Sequence, residues 1–160
     1  MSELRDLYQE VIFEHARHPR NFHALGNPSH VARGHNHLCG DQLTVYLHVA
    51  GDVIEDVSFE GAGCAISTAS ASLMTEALKG KRLDQAGKLF DSFHHMLTHG
   101  GAATESNSAA ETDTDQDAAL GKLEVMAGVH EFPARVKCAT LAWHTLQAAL
   151  KNRVEPVSTE

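Results

Sequence analysis

Three cysteines and one aspartate are the residues of this chain best suited to chemistry. They lie in Cys39-Gly40-Asp41, in Gly63-Cys64-Ala65-Ile66-Ser67 and in Arg135-Val136-Lys137-Cys138-Ala139. Three thiols and one carboxylate make four donors, the number a closed tetrahedral zinc site takes. Asp41 follows Cys39 by two residues, and in an extended segment such residues point to the same side. Glycines beside Cys39 and Cys64 allow close backbone approach. Cys64 and Cys138 fall near predicted helix starts, where the helix dipole favours the thiolate. The opposing reading is packing, because free cysteine is among the most buried residue types. Cys39 and Cys64 are 25 residues apart, and Cys64 and Cys138 are 74 apart. These separations match no zinc-finger pattern. The residues alone therefore leave a Cys3Asp metal centre and three packed thiols both open.

The elements that must position these residues follow from periodicity. Leu4, Leu7, Tyr8, Val11 and Ile12 recur at helical spacing, which predicts an amphipathic helix ending near His18-Pro19. Residues 20–38 read as irregular, with a short strand around residues 31–33. Residues 42–50 alternate, with Leu43, Val45, Leu47 and Val49 on one face. Gly51-Asp52 supplies a turn, and Val53, Val57 and Phe59 continue one face of a second strand. A helix with Ile66, Ala69, Leu73, Met74, Ala77 and Leu78 as its stripe stops at Gly80. Another spans about 84–98, and a short one about 120–127 ends at Gly128. Pro133 suits the first turn of a last helix packed through Val136, Thr140, Trp143, Leu146 and Leu150. The order predicts an α+β fold, a small antiparallel sheet of about three strands with helices on one face.

Residues 1–152 read as one domain, with residues 153–160 as a flexible tail. Within it, residues 101–118 carry Glu105, Glu111, Asp113, Asp115 and Asp117, with no basic, aromatic or large aliphatic side chain. Such a stretch cannot bury apolar surface and reads as a mobile acidic insert. The chain holds 13 basic and 21 acidic residues for a net charge of −8, which argues against nucleic acid or an anionic membrane as partner. The sequence has no apolar run of spanning length and no signal-like start, so a cytoplasmic location is expected. In that reducing setting, metal or thiol chemistry is expected rather than a disulfide framework. Twelve histidines are present. His95 with His99, and His15 with His18, have spacings that could pair on a metal, but most are expected to be solvated, with His144 on the outer face of the last helix.

Several stretches together resemble the U-type iron–sulfur assembly family, the IscU and NifU N-terminal scaffolds and their SufU relatives. They are Leu7-Tyr8-Gln9-Glu10-Val11-Ile12, His18-Pro19-Arg20-Asn21-Phe22, Cys39-Gly40-Asp41, the segment from Gly61 to Ser67, and the segment from Phe132 to Trp143. Lys137 stands where IscU-type scaffolds place a histidine, and the acidic segment is extra, both as in the SufU branch. The resemblance implies an IscU-like α+β fold and zinc held by Cys39, Asp41, Cys64 and Cys138. It also implies Cys39 as acceptor of persulfide sulfur from a SufS-like cysteine desulfurase, with downstream iron–sulfur assembly proteins as further partners. Its alternative is an iron–sulfur cluster scaffold on the same four residues. Arg135 would offset part of the site's negative charge. The chain departs from the family in reading Asn36-His37 where Asn-Pro is common, which makes His37 a rival ligand.

Overall fold

The computed structural model describes residues 2–36, 40–99, 120–151 and 157–158. Cys39, His37, the segment 101–118 and most of the 153–160 tail lie outside the described residues. Helix α1 spans Ser2–Arg17. It buries Ile12 and His15, three residues apart on one helical face, and leaves Phe13 exposed. Three strands follow, β1 (His30–Asn36), β2 (Asp41–Ala50) and β3 (Val53–Ala62). Helices α2 (Ala65–Leu78) and α3 (Leu83–His99), a 3₁₀ helix (Gly121–Glu131), helix α4 (Pro133–Leu150) and strand β4 (Val157–Ser158) complete the order.

The fold is α+β, as the element order predicts, but the sheet has four strands rather than three, in the order β3-β2-β1-β4. The fourth comes from the stretch read as tail. Val157 and Ser158 pair in parallel with Gly34 and His35, so the sheet is mixed. Strand β1 is longer than the three residues expected, because it pairs with β2 from His30↔Leu47 to Asn36↔Asp41. Its inward side chains are small: Ala32, Gly34 and Asn36. A Cβ on Gly34 would overlap Thr145 Oγ1 of α4, so glycine here lets the helix lie directly on the strand.

Strand β2 alternates as predicted, with Leu43, Val45 and Leu47 buried. In β3 the expected face is only partly right. The register shifts between His48 and Val49, where Val49 pairs with Ile54 and His48 with Asp56. This bulge turns Ile54 inward in place of Val53, since one extra residue reverses the pleat. The 3₁₀ helix likewise runs through Gly128 instead of ending there.

Helices α2 and α4 cover the inner face. Trp143, fully buried, stacks on Phe93 with ring centroids 4.6 Å apart and donates its indole N–H to Ser70 Oγ at 3.3 Å. Truncation of such a side chain to Ala costs about 3–5 kcal/mol. The motif His18-Pro19-Arg20-Asn21-Phe22 fastens α1 to this body. The Arg20 N–H donates to Ser72 Oγ at 2.8 Å, and Asn21 Nδ2 donates to Thr75 Oγ1 at 3.0 Å. Phe22 meets Phe59 edge-on at 5.1 Å.

Candidate functional site

The site forms at one end of the sheet. Gln42 pairs with Ala62, so the chain leaving β3 through Gly63 and Cys64 passes beside Asp41, the first residue of β2. Helix α4 lies on β1 through Gly34, Leu141 and Thr145. That contact brings Cys138, one turn earlier, to the same end. One donor atom each from Asp41, Cys64 and Cys138 lies within 4.8 Å of the others. Asp41 and Cys138 are buried and Cys64 is half-buried.

Local hydrogen bonds fix each donor. Asp41 Oδ1 accepts the Cys64 backbone N–H at 2.8 Å, and Oδ2 lies 3.9 Å from Cys64 Sγ. A Cβ on residue 63 would fall 2.5 Å from Asp41 Oδ1, so Gly63 is required by the approach of the carboxylate. Cys64 is the N-cap of α2, and its sulfur accepts the Ser67 N–H at 3.4 Å. This places the sulfur at the positive end of the helix dipole. Cys138 Sγ lies 3.7 Å from the Ala134 carbonyl one turn back, and Asn36 Nδ2 donates to it at 3.9 Å. Both cysteines carry free thiols. Two sulfurs and a carboxylate oxygen, convergent and largely enclosed, fit a borderline-soft divalent metal.

Three of the four predicted donors thus come together, and Cys39 lies outside the described residues. Arg135 sits exposed in the first turn of α4, three residues before Cys138. Asn36 is a residue that pattern reading missed. The strand was read over 31–33 alone, whereas it runs to Asn36, which shares parity with Ala32 and Gly34 and faces the core.

The described histidines do not assemble a comparable site. His15 is buried against α2, with Nδ1 2.7 Å from Ser72 Oγ and Nε2 3.8 Å from Glu76 Oε1. Burial above all, and then the Arg20 charge, holds its pKa below the usual histidine value. His144 is not on an outer face as expected. It is half-buried in a cleft of about 470 Å³ between α3, α4 and β4. Its ring lies edge-on to Phe90 at 5.4 Å and to His94 at 5.8 Å. Burial, and secondarily His94, lowers its pKa.

Residues 7–136 match the NifU-like N-terminal domain. The chain belongs to that family. Among its relatives, the zinc-dependent sulfurtransferase SufU of Bacillus subtilis is 41% identical over 146 residues, covering 91% of this chain and 90% of the relative. The iron–sulfur cluster assembly scaffold protein IscU of Streptococcus pyogenes is 38% identical over 152 residues, covering 95% and 87%. A solved structure of a putative iron–sulfur cluster assembly scaffold protein for the SUF system, from Fervidobacterium islandicum, is 33% identical. It superposes with a TM-score of 0.75 over 88% of this chain and 94% of that one. Family membership accounts for the α+β fold with helices on one face. Among the described residues no helix is long and apolar enough to cross a membrane.

Proposed function

We propose that this protein is a zinc-dependent sulfur acceptor that takes persulfide sulfur from a SufS-like cysteine desulfurase for iron–sulfur cluster assembly in the cytoplasm. The observation that carries the reading is the convergence of Asp41, Cys64 and Cys138 within 4.8 Å. The 41% identity to the B. subtilis sulfurtransferase supports it. Cys39, two residues before Asp41, is assigned as fourth ligand and as acceptor thiol. Zinc, when bound, keeps coordinating thiols deprotonated near neutral pH.

The chemistry asked of the chain is thiol–persulfide exchange. The Cys39 thiolate attacks the outer sulfur of the donor persulfide. A new S–S bond forms on Cys39 as the donor's S–S bond breaks, and the donor cysteine leaves as thiolate. The outer sulfur keeps its proton, and there is no net oxidation. Arg135, exposed beside the site, is assigned to offset the charge of the donor set.

The test is alanine release from cysteine by a SufS-like desulfurase, with this protein zinc-loaded or chelator-stripped. The loaded form is expected to stimulate turnover, the stripped form and a Cys39→Ser variant not to. Equal stimulation by Cys39→Ser would end the acceptor assignment. The similarity to proteins named as scaffolds supports a second reading, a cluster built on the same donors, since thiolates suit either metal. A brown, iron-containing purified protein would favour it, and colourless tightly held zinc would favour sulfur transfer.

A further inference from the structure

The two described thiols differ in enclosure. Cys138 is completely buried, whereas Cys64 is half-exposed at a helix start. The Cys138 sulfur is bracketed between the Ala134 carbonyl of its own helix and the Asn36 carboxamide. Asn36 is itself fully buried, ends β1, and pairs in register with Asp41. A buried carboxamide is retained at a cost unless its hydrogen bonds are made. This one is aimed at a sulfur of the site, at the long end of the range for such an acceptor. An N–H donor placed on a sulfur withdraws charge from it when it is a thiolate. That stabilises the thiolate against protonation and lowers its nucleophilicity, while the donor fixes the sulfur in place, as supporting residues orient metal ligands generally.

We propose that Asn36 is a positioning residue that makes Cys138 the anchored ligand of the site, so that exchange with incoming sulfur falls to the other thiols. The inference rests on the sulfur-acceptor reading above and adds a division of labour among the thiols. Cys138, enclosed in the core and met by the Asn36 N–H, keeps its place while another thiol reacts.

The test maps alkylation by iodoacetamide on the zinc-loaded full chain, by mass spectrometry over time, with zinc content measured in the same samples. In the wild type, Cys138 is expected to be modified last. In Asn36→Leu, which places an apolar side chain of similar size in the core and removes the N–H, Cys138 modification is expected to accelerate about tenfold or more, with Cys64 unchanged. An unchanged order in Asn36→Leu overturns the proposal, since burial alone would then protect Cys138. If that variant does not fold by circular dichroism, Asn36→Ala, which removes the donor without adding a charge, carries the same comparison. Wild-type Cys138 reacting as fast as Cys64 overturns the proposal without any variant. Failure to retain zinc in the wild type sinks the reading of the site itself, whereas retained zinc with an unprotected Cys138 sinks only the role of Asn36.

Discussion

Helix α4 borders two regions rich in potential metal ligands, and only one of them gathers its donors. At its N-terminal end Cys138 meets Asp41 and Cys64 from two other elements. Further along, His144 meets His94 and Phe90, and there the rings pack against one another by their edges and faces. The difference lies in what the backbone enforces. Strand register places Asp41 beside Gly63, and a close helix–strand contact at Gly34 places Cys138. In the cleft, side chains two helices apart fill space. Ligand types are common in this chain, with twelve histidines, but convergence imposed by register makes a site.

The largest expected effect that would sharpen this contrast is on metal retention. Cys138→Ser and Cys64→Ser should each weaken zinc binding by more than about hundredfold, beyond the usual loss of a supporting residue. Competition with a chromogenic chelator measures it. Gly63→Ala should weaken zinc about tenfold while the far-ultraviolet circular dichroism is kept, because its Cβ displaces the Asp41 carboxylate.

A smaller effect concerns pH. His15 has a folded pKa below its unfolded value, so the unfolded chain binds the extra proton first. The stability tied to neutral His15 is complete above about pH 6.5. It is lost as pH falls toward the folded pKa. Urea midpoints of wild type between pH 8 and pH 5 should therefore drop below 6.5, and His15→Gln should flatten the slope. The smallest effect on the site belongs to the cleft. Replacing both His94 and His144 by Ala should leave zinc stoichiometry unchanged, while each change costs about 0.5–3 kcal/mol of stability. Loss of zinc from that double variant would break the contrast.

Periodicity made the helices and the β2–β3 hairpin legible, because their stripes bury large aliphatic side chains such as Leu43, Val45 and Leu73. Strand β1 was largely hidden, since its inward residues are small enough to accept a helix at close range and carry no apolar signal. The turn of Ile54 inward depends on a bulge set by pairing. Strand β4 is two residues whose partner lies more than a hundred positions away, a tertiary fact with no local trace. In the site, residue types suggested a metal, but the meeting of donors from distant segments was not deducible from spacing. It came from the resemblance, and the structure brings three of the four together.

The most direct test of the central claim is X-ray absorption at the zinc edge of the zinc-loaded full chain. The account predicts four-coordinate zinc with three sulfur neighbours and one oxygen, falling to two sulfurs in Cys138→Ser. A wild-type spectrum fitted by nitrogen and oxygen alone, or unchanged in that variant, would contradict it.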